Sequence, residues 1–123
     1  MLRLAVFLAI AHSLPSLHAA QEDWPHWRGP QGNGVSPEEG WRAQGAAEPL
    51  WQEDVGLGYS SPSILDGVLF ILGYRAELGG DQLQARDAET GELRWSQSYP
   101  AELRNFDHGG GSLTTPAGYS PAK

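Results

Sequence analysis

The chain contains no cysteine, which excludes disulfide bonds, thiolate metal sites, a catalytic thiol and a lipid-modified N-terminal cysteine. It also lacks a basic cluster, because 8 Lys and Arg residues stand against 15 Asp and Glu, for a net charge of −7. Without such a cluster there is no electrostatic footprint for nucleic acid or for an anionic lipid surface. We therefore expect no nucleic-acid partner.

A long hydrophobic run is missing as well. The apolar run at residues 4–11 would span roughly 12 Å as a helix, against the ~30 Å hydrocarbon core of a bilayer. It follows Arg3 and precedes the small residues Ala19 and Ala20, which is the layout of a secretory signal peptide. We predict that residues 1–20 are a signal peptide, that the protein is periplasmic or secreted, and that it has no membrane anchor.

Outside that segment no helical period is present, and the remaining pattern is typical of β-structure. Residues 21–48 are rich in Gly, Pro and Trp and predict an irregular lead-in whose Trp rings lie on another surface. The expected strands are short, punctuated by turn residues, and fall at residues 50–55, 60–65, 68–72, 82–87 and 92–98. The last four form an all-β, four-stranded antiparallel meander.

The connections of this meander differ in length. Asp66-Gly67 is a strong hairpin signal, and residues 88–91 form a second tight turn. Residues 74–80 and 99–111 are long polar loops. Because connections alternate between the two ends of a meander, the long loops fall together at one end.

An internal repeat is visible around two tryptophans. Trp51 and Trp95 are 44 residues apart, and each leads through a Gly-rich stretch, into Ser60-Ser61-Pro62 and Thr114-Thr115-Pro116 respectively. A spacing of about 40–45 residues is typical of a propeller blade. The second copy carries ten extra residues between its Trp and its Pro.

The residues between the two copies carry a more specific pattern. An eleven-residue stretch resembles the tryptophan-docking motif of the pyrroloquinoline-quinone (PQQ) repeat family of β-propellers. The family's five fixed positions are matched by Ala85, Asp87, Thr90, Gly91 and Trp95. The Trp-Pro-x-Trp-Arg-Gly-Pro stretch at residues 24–30 is similar to the start of exported PQQ-like proteins.

The local physics of this motif suits a docked hairpin. Asp87 and Thr90 can bond backbone amides around the turn, and Gly91 supplies the positive φ of a bulged hairpin. Ala85 is small enough for a ring to lie over it. The resemblance then implies that Trp95 packs between neighbouring blades, and that Gln84 and Arg86, polar where the family strand is apolar, lie on an exposed strand face.

The resemblance implies that residues 49–123 are the first blade, and the start of the second, of a truncated quinoprotein-type β-propeller. Residues 50–55 would belong to the closing blade, and the missing blades would be the chain's main partners. The function implied is a non-catalytic binding or scaffold module. The alternative is the N-terminal part of a PQQ-dependent alcohol or sugar dehydrogenase.

The same resemblance limits what these residues could do. A full-length parent could use PQQ and Ca²⁺, but no cofactor is expected here, since the quinone-holding blades lie elsewhere and the family's vicinal cysteine pair is absent. We expect no catalytic and no metal-binding residue in this stretch. The candidates for a protein or small-molecule site on the long-loop face are Arg75, Asp107 and His108, for which solvated loop residues remain the alternative interpretation.

Overall fold

Four β-strands in chain order make up the fold. The computed structural model describes residues 23–39, 45, 48–104 and 109–118. The strands are β1 (Ser63–Leu65), β2 (Val68–Arg75), β3 (Gly80–Asp87) and β4 (Leu93–Pro100). They form one sheet in which each strand pairs antiparallel with the next. The predicted all-β class and four-stranded antiparallel meander are confirmed, whereas the predicted signal peptide lies outside the described residues.

The hairpin between β1 and β2 is built as its sequence predicts. Asp66 and Gly67 both have positive φ, at 50° and 71°, which is the backbone of a two-residue type I′ turn. The carbonyl of Gly67 also accepts a bond from the N–H of Ala88 at 3.0 Å. This bond ties the first tight turn to the second, at the same end of the sheet.

The connection between β2 and β3 is shorter than predicted. The polar residues 74–80 do not form a long loop, because β2 continues to Arg75 and β3 begins at Gly80. Only one 3₁₀ turn, Ala76–Leu78, and Gly79 at φ 60° lie between them. The backbone ladder runs to the last pair regardless of side-chain polarity, with Arg75 opposite Gly80.

The sheet has two faces of different chemistry. One, the Trp95 face, carries Phe70, Leu72, Leu83, Ala85 and Trp95. The opposite one, the Gln84 face, carries the alternate residues, among them Ile71, Gln84 and Arg86. Among the described residues the best-buried apolar side chains are Ala85, Leu72 and Ile71, at 0%, 7% and 8% exposure.

The strand predicted at residues 50–55 is wrong. Residues 51–56, the cover segment, form no strand and lie across the Gln84 face instead. A Cβ built on Gly73 would come within 1.9 Å of the Val55 carbonyl oxygen, so the two backbones are stacked face to face. A segment lying on a sheet face cannot join that sheet's hydrogen-bond ladder.

The exposed strand face predicted for Gln84 and Arg86 is also wrong, since they are only 2% and 7% exposed. The cover segment shields them, and Glu53 forms an ion pair with Arg86 at 3.6 Å. Their polar groups bond in a chain: the Gln84 amide donates to Gln82 at 3.0 Å, and Arg86 donates to Gln84 at 2.9 Å and to the Gly91 carbonyl at 2.7 Å. Burial is tolerated because these groups satisfy one another.

The described part of the lead-in, residues 23–39, contains turns, bends and one isolated bridge but no helix or extended strand. Trp24 exchanges backbone hydrogen bonds of 2.9 and 2.8 Å with Ile64, which covers the free edge of β1. The Trp24 ring is half-buried against Gly29, whereas Trp27 is 65% exposed, so only one of these two rings lies well on another surface. No helix in the described ranges is long and apolar enough to cross a membrane.

Candidate functional site

The turn between β3 and β4 is held by the side chains that the docking motif fixes. The Asp87 carboxylate accepts the backbone N–H groups of Glu89 and Thr90, both at 3.0 Å. The Gly91 N–H donates to the Asp87 carbonyl at 2.9 Å, and the Thr90 hydroxyl accepts the N–H of Glu92 at 3.3 Å. Gly91 has φ 74°, and the register slips beside Ala85, as a bulged hairpin requires.

Among the described acidic side chains, Asp87 has the most strongly shifted pKa. The Arg94 guanidinium, 2.7 Å from its carboxylate, and then the backbone N–H of Thr90 lower the pKa of Asp87 from 3.8 to about 2. Partial burial opposes this shift, and the N–H of Glu89 adds to it. Every contact of this carboxylate lies within the turn or the following strand, which indicates a structural role.

Acid should therefore weaken the fold through Asp87. Because the folded pKa is the lower one, the unfolded chain takes up the proton first, and this contribution is lost as the pH falls from about 4 to about 2. We expect Asp87→Asn to be less stable than the parent chain at neutral pH, with a difference that shrinks across this window. Urea unfolding at each pH measures it, with Glu89→Gln as the control for net charge. A difference that stays constant down to pH 2 would contradict the assignment.

A tryptophan docks on this turn, and it is Trp51. Its indole N–H donates to the Ala88 carbonyl at 3.0 Å. A Cβ built on Gly91 would lie 2.6 Å from the ring of Trp51, so Gly91 is needed for this contact as well as for its positive φ. This role of Trp51 was not predicted from the sequence, although its repeat spacing to Trp95 was a signal for it.

Trp95 lies on the opposite side of the structure. It pairs in register with Ala85, which is completely buried, and its ring lies 6.0 Å from that of Phe70 at an angle of 55°. Its exposed fraction is 47%. Beside it an apolar cavity of about 260 Å³ opens between the Trp95 face and residues 116–118.

The two half-repeats lie side by side and run parallel. Gly58 and Ser112 form a parallel bridge, and the N–H of Tyr59 donates to the Ser112 carbonyl at 2.7 Å. Further along, the Ser60 hydroxyl donates to the Thr114 carbonyl at 2.7 Å. The first and third contacts join residues 54 positions apart, which is also the offset between Ser60-Ser61-Pro62 and Thr114-Thr115-Pro116, so equivalent residues of this part of the repeat meet.

A pocket of about 240 Å³ opens at the end of the sheet where β3 begins and β4 ends. Asp81 accepts the Ser112 hydroxyl at 2.5 Å and the Tyr99 hydroxyl at 3.5 Å. Partial burial, followed by the charge of Asp81, raises the pKa of Tyr99. The charged and polar side chains around the pocket belong to Tyr59, Asp81, Glu102, Arg104, Ser112 and Thr114.

Of the three predicted candidates on these loops, the structure describes only Arg75. It lies in a separate shallow cavity and forms ion pairs with Asp54 at 3.6 Å and Glu77 at 3.8 Å. Its guanidinium also donates to the Asp54 carbonyl at 2.5 Å, so it anchors the cover segment. Asp107 and His108 lie outside the described residues.

The described residues contain no group of three or more His, Asp or Glu side chains that could hold a metal ion. Comparison with protein-family models, curated proteins and solved structures found no match. The site therefore has to be interpreted from its own geometry.

Proposed function

We propose that the chain is part of an exported PQQ-like β-propeller, comprising its first blade and the start of the second, and that it serves as a non-catalytic binding or scaffold module. The sequence support is the docking motif that ends at Trp95. A propeller arises by radial repetition, so each unit buries its apolar surface against the next.

The observation that carries the proposal is the parallel contact between the half-repeats. Neighbouring blades are related by rotation about one axis, so equivalent residues of successive copies should meet at one constant offset and in the same direction. Gly58 with Ser112, and Ser60 with Thr114, meet in this way. A chance pairing of two loops would have no reason to keep sequence-equivalent residues together.

The two tryptophans add support from the same repeat logic. Trp51 docks on the turn of the blade that follows it in the chain. Trp95 holds the equivalent place one copy later, and nearly half of its surface is exposed. In the proposed propeller, the turn of the next blade would cover Trp95 as the Gly91 turn covers Trp51.

The binding surface of the module would be the end of the sheet that carries the pocket beside Asp81. Connections gathered at one end of a rigid β-scaffold are suited to ligand or protein binding. The described residues do not fit a quinone–Ca²⁺ site, because Asp81 is engaged by Ser112 and Tyr99, and Glu102 is paired with Arg104 at 3.5 Å. The dehydrogenase alternative gains no support from these contacts.

The proposal predicts two results for the full chain. Amide hydrogen exchange should show protection of the Tyr59 and Ser112 N–H groups, which donate across the two copies, relative to the N–H of Glu77 in the 3₁₀ turn. Titration with PQQ and Ca²⁺ should leave the quinone absorbance unchanged and produce no alcohol-dependent dye reduction.

The two results test different parts of the proposal. Rapid exchange at both Tyr59 and Ser112 would remove the contact between the copies and, with it, the propeller. Quinone binding coupled to alcohol oxidation would replace the binding module with the dehydrogenase, while leaving the propeller in place.

A further inference from the structure

In the part of the chain that the structure describes, the outer edge of β4 is open. Leu93–Pro100 pairs with β3 on one side, and no described residue pairs with it on the other. All eight of its residues are exposed. The opposite edge of the sheet differs, because Trp24 bonds β1 at Ile64. We infer that β4 binds the β4 strand of a second copy of this chain, antiparallel, to form a two-fold dimer with a continuous sheet.

Between the register shift beside Ala85 and Pro100 at its end, this edge lacks the charged side chains that normally prevent such pairing. Sheet edges are usually protected by Lys or other charges along the strand. Arg94 is the single charged residue between Leu93 and Pro100, and its guanidinium is bound to Asp87 at 2.7 Å. The stretch from Trp95 to Tyr99 is therefore uncharged in a chain whose net charge is −7.

The backbone groups available for a partner are those of Ser96 and Ser98. The N–H of Ala101, just after β4, donates to the carbonyl of Gly79, just before β3. Hydrogen-bonding direction alternates along a strand, so Tyr99, Gln97 and Trp95 also bond towards β3. Pro100 fits this alternation, because the side of the strand where its N–H is missing is the outer side, away from β3.

One register makes the edge complementary to itself. If Gln97 lies on the two-fold axis, Ser96 faces Ser98 of the second copy, and both have outward backbone groups. Trp95 then lies directly opposite Tyr99 of the second copy on the Trp95 face. Aromatic pairs directly opposite each other are among the stabilising cross-strand pairs. A shift of one pair, to Ser96 opposite Ser96, would place Trp95 opposite Gln97 and lose the aromatic contact.

This self-complementarity favours a second copy over an unrelated strand. A two-fold interface uses the same patch on both partners, so each favourable pair occurs twice. Pairing would also shield Trp95 and Tyr99, now 47% and 46% exposed. The inference uses only the edge of β4 and does not depend on the propeller assignment.

Charge placed at Gln97 provides the test. In the full chain, Gln97→Lys sets two like charges opposite each other on the axis, which should raise the dimer dissociation constant by roughly tenfold or more. Sedimentation velocity from micromolar to millimolar concentration measures it. Gln52→Lys is the matched control, since it adds the same charge on the exposed cover segment, and it should dimerise as the parent does.

Mixing variants of opposite charge at Gln97 distinguishes a loss of edge pairing from a loss of fold, because only the former can be restored. Gln97→Glu alone should dimerise as weakly as Gln97→Lys, whereas an equimolar mixture of the two variants should form a heterodimer, detected by native mass spectrometry. A parent chain that is monomeric throughout, association unaffected by Gln97→Lys, or a mixture that stays monomeric would each overturn the inference. The second of these results would place the contact on another surface or with another partner.

Discussion

Trp51→Ala is expected to lower the free energy of unfolding of the chain by up to about 3 kcal/mol, near the lower end for a buried tryptophan because this one is half-buried. The substitution removes the ring that covers Gly91 and the indole bond to Ala88. It also leaves that carbonyl without its described side-chain donor. Urea unfolding followed by far-ultraviolet circular dichroism measures the loss.

Two further variants separate the causes. Trp51→Phe keeps an aromatic ring but loses the N–H donor, so it should cost only about 1 kcal/mol. Trp27→Ala removes an indole that is 65% exposed and contacts the Arg28 guanidinium at 5.6 Å, and should cost under about 1 kcal/mol. If Trp51→Ala and Trp27→Ala share one unfolding midpoint, docking on the turn contributes nothing to stability.

Gly73→Ala is expected to lower the free energy of unfolding by at least as much as Trp51→Ala. The reason is a steric clash between the added methyl group and backbone atoms. The added Cβ would meet the carbonyl oxygen and carbon of Val55 at 1.9 and 2.8 Å, and both are backbone atoms that no side-chain rotation can move. The cover segment must then lift, which adds the loss of Trp51 docking and of the Glu53–Arg86 ion pair to an overpacking cost of about 1–3 kcal/mol.

Gly79→Ala is the control for this substitution. A Cβ there meets nothing within 4 Å, but the residue has φ 60°, so only the left-handed backbone cost of about 1–2 kcal/mol is expected. Gly73→Ala should also speed amide exchange in the middle of β3, where the cover segment shields Gln84. A stability for Gly73→Ala equal to or above that of Gly79→Ala would show that the cover segment does not rest on β2.

The strands and tight turns were predictable because their signals are local. The apolar run in the first half of β2, the Asp66-Gly67 pair and the turn from Asp87 to Gly91 each fix backbone geometry within a few residues. The predictions failed where tertiary contacts decide the outcome. Polar residues extended β2 and β3 because the ladder requires only backbone groups.

Gln84 and Arg86 show most clearly where prediction from the sequence fails. Their polarity indicated an exposed face, yet Glu53, which comes from the separate cover segment, and the Gly91 carbonyl across the turn make their burial possible. Nothing in the alternation of β3 encodes those partners. The docking of Trp51 could have been anticipated from its repeat relation to Trp95, whereas the path of the cover segment across the sheet could not.

The fixed offset between the half-repeats has a practical consequence for chain length. The backbone is held at both ends of the last connection, by Ala101 on Gly79 and by Ser112 on Leu57. Between these anchors the chain carries the ten extra residues of the second copy. Equivalent residues of the two copies, such as Ser60 and Thr114, nevertheless lie next to each other. Doubling the length of such a closed segment costs only about 0.6 kcal/mol. This connection is therefore suited to insertion of a foreign epitope or recognition loop. The sheet and the parallel contact between the two half-repeats should keep their geometry.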